Sequence, residues 1–172
     1  IGSSIGLKAN RLSPYRGPHM RTVVAVIAAA ALLAPAAAAQ DQGQLEAARL
    51  EIESERTAVV TANLPLTDAE GQAFWPVQRE YRAEVRKLND RTVELLKGFA
   101  ASYGTATDQQ ASDMLKEQLD IQEARIKLLK KYKGRFEKVL PPKKVARYYQ
   151  IEHKLDAGAT YEMAKVIPLT KN

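Results

Sequence analysis

From Thr67 to Gly104 the apolar residues Phe74, Val77, Tyr81, Val85, Leu88, Leu95, Phe99 and Tyr103 recur at spacings of three and four, with Thr92 filling the gap between Leu88 and Leu95. That period puts them on one side of a helix. Thr67 with Glu70 three residues on forms a capping box, and Leu66 stands where a hydrophobic staple would. Gly104 supplies the stop. A helix of this span is roughly 54 Å long at 1.5 Å per residue. A second stripe restarts after Thr107, which has Gln110 three residues on. It comprises Met114, Leu115, Leu119, Ile121, Ile126, Leu128, Leu129, Tyr132, Phe136, Val139 and Leu140. Thr105, Ala106 and their immediate neighbours are all that join the two stripes. A connection that short makes antiparallel neighbours, so a long helical hairpin forms the centre of the fold.

Pro76 lies inside the first stripe. An interior proline removes the hydrogen bond to residue 72 and clashes with its carbonyl, at about 3 kcal/mol or more. The stripe keeps its phase through Phe74, Val77 and Tyr81, which favours a kinked helix over two segments meeting at Pro76. The expected class is therefore all-α, with a long bent antiparallel hairpin and shorter flanking helices. The first flank runs from about Gln42 to Ala62, carries a thin stripe of Leu45, Ile52 and Val59, and stops at Asn63-Leu64-Pro65. Pro141-Pro142 ends the second stripe, and Pro142 suits the first turn of a last helix. That helix carries Val145, Tyr148, Tyr149, Ile151 and Leu155 and frays towards Ile167-Pro168. Trp75, the one tryptophan, reads first as a cap on the core beside Tyr148 or Tyr149, and second as a partner-binding aromatic.

The net charge of +6 suggests a nucleic-acid partner until the N-terminus is parsed. Arg21, an apolar run from Val23 to about Leu33, Pro35, and small residues ending Ala37-Ala38-Ala39 have the three-part layout of a secretory signal. Cleavage is expected before Gln40, giving a signal at 20–39, an upstream or cloning extension at 1–19 and a single helical domain at 40–172. Of the 26 basic residues, Lys8, Arg11, Arg16 and Arg21 lie before residue 40, and none of the 20 acids does. The mature part then holds 22 basic and 20 acidic residues. Its basicity no longer argues for nucleic acid, and the expected location is the periplasm. There is no cysteine, hence no disulfide, no thiolate metal site and no lipid-modified cysteine.

Chemistry-bearing groupings are sparse. The mature part has one histidine, His153, and serines at Ser54, Ser102 and Ser112. Glu51, Glu53 and Glu55 alternate and so splay around a helix. His153 with Glu152 or Asp156 makes a poor metal site. No catalytic residue, metal or cofactor is expected, and the chain does not read as an enzyme. The one charged feature is basic. Lys127, Lys130, Lys131, Lys133, Arg135, Lys138, Lys143, Lys144 and Arg147 stand against the single acid Glu137. Lys127, Lys131, Arg135 and Lys138 share one helical face. That face is either simply solvated or a positive surface for acidic segments of unfolded proteins or for an anionic membrane.

There is also an internal echo at an offset of 74 residues. Leu66 falls on Leu140, Phe74-Trp75 on Tyr148-Tyr149, Val77 on Ile151 and Tyr81 on Leu155. The opening Leu66-Thr67-Asp68-Ala69-Glu70, with Glu70 in place of Gln, and its echo at Leu140 resemble the repeated Leu-Thr-x-x-Gln motif of the Spy/CpxP-like periplasmic family. The stretches "FWPV" and "KVARYYQIEHKLD" are similar to a group of exported bacterial proteins. The resemblance implies an ATP-independent, chaperone-like or envelope-stress-associated binding protein that forms antiparallel dimers with a curved helical surface. Its partners would be unfolded or envelope proteins. The breadth of the second stripe separately suggests a homodimer, since one hairpin neighbour cannot cover it. The alternative is a structural envelope adaptor that binds one fixed partner, or itself, through the hairpin.

Overall fold

The computed structural model describes residues 38–171. The signal expected over residues 20–39 and the extension before it lie outside the described residues, apart from Ala38 and Ala39. Four helices account for nearly all of the described chain: α1 (Ala38–Asn63), α2 (Asp68–Ala101), α3 (Asp108–Glu137) and α4 (Pro142–Val166). No strand occurs among the described residues. No helix there is long and apolar enough to cross a membrane.

Both hairpin helices start with capping boxes. The Thr67 hydroxyl accepts from the Glu70 amide while the Glu70 carboxylate accepts from the Thr67 amide, and Thr107 with Gln110 repeats the arrangement. Two of the amide groups that a helix start leaves unpaired are satisfied this way. Pro76 does not divide α2, which is one helix on both sides of it. Pro76 is exposed, and so is Gln72, whose carbonyl loses its usual donor. The helix therefore gives up that bond on its outer side, where water can replace it. α2 ends at Ala101, two residues before the last apolar position of its stripe, Tyr103. A turn follows in which Gly104 has φ of +81°, a conformation that disfavours any side chain. The Lys171 side chain lies 3.4 Å from where a Cβ would stand there.

α2 and α3 pack antiparallel, with Phe74 beside Phe136, Tyr81 beside Tyr132, and Arg91 bonded to Glu117. α4 runs back along α3, and its Tyr149 hydroxyl donates to the Leu129 carbonyl at 3.0 Å. α1 runs antiparallel to α4, with the Arg147 Nε donating to the Asn63 carbonyl at 2.5 Å. The core lies at the end where these helices meet. Val60, Phe74, Phe136 and Tyr148 have no exposed surface, and Leu64, Leu140 and Val145 are buried beside them. Tyr148 is the hub: its ring centroid is 4.9 Å from Phe136 and 5.1 Å from Phe74. Tilted and edge-to-face pairs of this kind each contribute about 0.5–1.5 kcal/mol beyond area burial. Away from this end packing thins. On α2 beyond Val85, and on α3 before Ile121, no residue is buried.

The echoed positions meet. Glu70 pairs with Lys144 at 2.5 Å, and Phe74 packs edge-to-face on Tyr148, in both cases residues separated by 74 in the chain. α2 and α4 thus start side by side and run the same way. Truncating the centre of this cluster by Phe136→Ala should cost about 3–5 kcal/mol. Urea denaturation of the variant should show the midpoint falling with little change in slope, and an unchanged midpoint would refute the assigned core.

Candidate binding surface

Leu66, Thr67, Glu70 and Leu140, on which the sequence resemblance rests, lie at the joint between α2 and α4. Thr67 and Glu70 cap α2, and Glu70 also carries the ion pair to Lys144. Leu66 packs partly against the core, and Leu140 is buried in it. The Lys144 ammonium, and after it the Thr67 amide, hold the Glu70 carboxyl below the usual carboxylate range. Trp75 is half-buried at the core edge, its ring edge-on to Phe74 at 5.0 Å and seated over Gly71. It lies beside the aromatic cluster and presents only part of its ring to solvent.

The four basic residues singled out on α3 and at its C-cap have different surroundings. Lys127 is paired one turn back with Glu123 at 2.7 Å. Arg135 reaches across the hairpin to Glu80 at 2.6 Å and lies over the Tyr132 ring, 4.8 Å from its centroid. Lys131 stands over the same ring at 5.4 Å and makes no ion pair among the described residues. Lys138 is exposed and likewise makes none. The face is therefore only partly free charge: Arg135 ties α3 to α2, and Lys131 and Lys138 are available to a partner.

On a different side of α3 from these basic residues lies a row of large apolar side chains. Leu115, Leu119 and Ile126 on α3 are 61%, 55% and 53% exposed. Their spacings of four and seven keep them on one side of the helix. Ion pairs flank them: Lys116 with Asp120, and Glu123 with Lys127.

The least expected cluster is internal. Glu152 is 2% exposed, and its Oε2 accepts from Arg56 of α1 at 2.6 Å and from Arg82 of α2 at 3.3 Å. Arg56 also donates to Asp156 at 2.7 Å, and the Arg82 Nε donates to Glu53 at 3.0 Å. Both arginines are almost fully buried. Burial works against the charge on Arg82, but its bond to Glu53 and the field of Glu152 outweigh that and raise its pKa. One turn before Glu152, burial and then the Glu152 charge push the Tyr148 hydroxyl well above its ordinary value. Arg125 of α3 faces the same region and bonds to Asn89. Burial lowers its pKa, and Asp156 partly compensates.

Sequence spacing points elsewhere for two of these residues. Glu152 and Asp156 flank His153 in sequence, yet they are committed to arginines, and His153 is exposed. No group of three or more candidate ligands that could hold a metal ion occurs among the described residues. The available signal for the buried cluster was positional. Arg82 follows Tyr81 on the core-facing stripe of α2, and Glu152 sits between Ile151 and Leu155 on α4, where a solvated side chain would be out of place.

Two outcomes are expected. Arg56→Met leaves the Glu152 carboxylate buried with only the longer bond from Arg82, and should cost on the order of 3 kcal/mol, read from chemical denaturation. For Glu70 the folded pKa lies below the unfolded one. Its contribution is present above the unfolded value of about 4.3 and is lost as pH falls through the lower, folded value. Thermal melts across that acid range should therefore fall less steeply for Glu70→Gln than for the parent. Parallel curves would show that the Lys144 pair adds no acid sensitivity.

No protein-family model, curated protein or solved structure matches the chain.

Proposed function

We propose that the protein is an exported, periplasmic binding protein of chaperone-like character, holding unfolded or envelope polypeptides without ATP. One observation carries this: the solvent-facing row Leu115, Leu119 and Ile126 on a helix whose other side is already packed against α2. Three large apolar side chains in line on an otherwise charged helix form the kind of patch that marks an interaction site. An unfolded client offers apolar side chains without fixed shape, and a shallow row can hold these weakly enough to release them. The flanking lysines steer acidic clients at long range, and the apolar row holds at short range. Of the four basic residues, Lys131 and Lys138 keep their charge for long-range attraction, because Arg135 and Lys127 already have carboxylate partners.

A second reading, self-association, is favoured by the charge order along α3. Asp108 and Asp113 lie at its start, and Lys130, Lys131 and Lys133 towards its end. Two copies of α3 set antiparallel would match opposite charges at both ends of the apolar row, in an isologous contact.

Leu119→Lys tests both, because Leu119 is exposed and its replacement should leave the helical spectrum and the melt unchanged. The parent protein is expected to slow aggregation of several unrelated denatured clients, and the variant to lose most of that effect. If the parent suppresses nothing, the chaperone reading fails. If sedimentation then shows a dimer that Leu119→Lys dissociates, self-pairing is the role of the row.

A further inference from the structure

The geometry points to a separate docking seat for an acidic protein segment, in the groove between the end of α3 and the start of α4. The groove has a volume of about 310 Å³ and is lined by Leu129, Lys130, Lys133 and Glu137 from α3 and by Pro142, Val145, Ala146 and Tyr149 from α4. Its floor is apolar and rigid. Val145 is buried, the Tyr149 hydroxyl is held by the Leu129 carbonyl at 3.0 Å, and the Tyr149 ring stands edge-on to Phe136 at 6.0 Å. Burial, then the charges of Glu137 and Glu152, push the Tyr149 hydroxyl up to about 12. From Pro142 to Tyr149 the floor spans roughly 11 Å, enough for about two apolar anchors one helical turn apart.

The rim decides the partner's charge. Lys130 and Lys133 stand on the α3 wall, and Glu137, the one acid of the lining, is already bonded to Lys133. Lys130 makes no ion pair among the described residues, and neither do Lys138 and Lys143, the chain neighbours of the lining residues Glu137 and Pro142. A recessed apolar floor beneath unpaired ammonium groups is complementary to apolar side chains flanked by carboxylates. It does not suit a bilayer, because a flat anionic surface would meet the lysines without reaching Val145. This seat is distinct from the Leu115–Ile126 row on which the chaperone reading rests, so either can fail alone.

The test uses the full chain and a fluorescein-labelled amphipathic peptide of about four helical turns, with Leu and Phe one turn apart and Glu on both flanks, followed by anisotropy at low ionic strength. The decisive variant is Ala146→Arg. Ala146 is exposed and helical, so arginine is tolerated there, yet it fills the groove while adding positive charge. The parent is expected to bind the peptide. Ala146→Arg and Lys130→Glu should each weaken binding by about tenfold or more, as should Gln in place of Glu in the peptide. The Leu119→Lys variant should bind it unchanged. Equal or tighter binding by Ala146→Arg would show that only net charge matters and would overturn the seat. So would binding of anionic phosphatidylglycerol vesicles but not of the peptide. The seat is likewise overturned if Ala146→Arg dissociates a dimer while the parent ignores the peptide, since the groove would then hold a second copy.

Discussion

A single carboxylate, Glu152, sets the register of three helices. It is almost wholly withdrawn from water, and one of its oxygens takes hydrogen bonds from Arg56 of α1 and Arg82 of α2. Burying charge is costly, and a buried pair stabilises only when geometry and additional bonds compensate. Here Glu53 and Asp156 hold the outer edges of the two guanidinium groups. A slip of one residue along α4 would turn Glu152 by about 100° and strand both arginines. Apolar packing tolerates small slides, whereas this cluster does not. The helices can therefore share an aromatic core without the choice of partners becoming ambiguous.

The rest of the molecule divides around that joint. On one side, Phe74, Phe136 and Tyr148 fill a dry core under the turns that link α1 to α2 and α3 to α4. On the other, α2 and α3 continue as an arm with little burial, held by polar contacts such as Arg91 with Glu117 and Arg125 with Asn89. Stability is concentrated at one end and accessible apolar surface at the other. An arm of this kind can present Leu115 and Leu119 to solvent because it does not need them to fold.

Much of this was legible in the sequence, for identifiable reasons. Periodic stripes and capping boxes are local, so α2 and α3 and their antiparallel pairing could be read from spacing and from a short connection. The offset of 74 had a physical meaning that the letters alone could not give: Glu70 and Lys144, and Phe74 and Tyr148, are neighbours in space. The pairing within the buried ion cluster was not legible, because Glu152 and Asp156 lie 70 to 100 residues from the arginines they bond and each member resembles a surface residue. Periodicity reports which face is apolar, but not which charged residue is drawn into that face. The basic stretch from Lys127 to Arg147 shows the converse limit. Sequence shows nine positive residues, while the three-dimensional arrangement decides that Arg135 and Lys144 are tied to carboxylates and that Lys130 is not.

The separation of partners along the chain also bears on the order of assembly. The α2–α3 hairpin can zip outward from its turn, beginning with pairs such as Arg91–Glu117 that lie 26 residues apart, so its loop-closure entropy is the smaller one. The Arg56–Glu152 and Arg56–Asp156 bonds close loops of 96 and 100 residues. They become favourable only after the hairpin has shortened the path between them. Contacts of that kind form late, and their loss should speed unfolding more than it slows folding. The ionic joint then acts mainly as a latch on the finished bundle, and sets how long the folded protein lasts once its local helices have found each other.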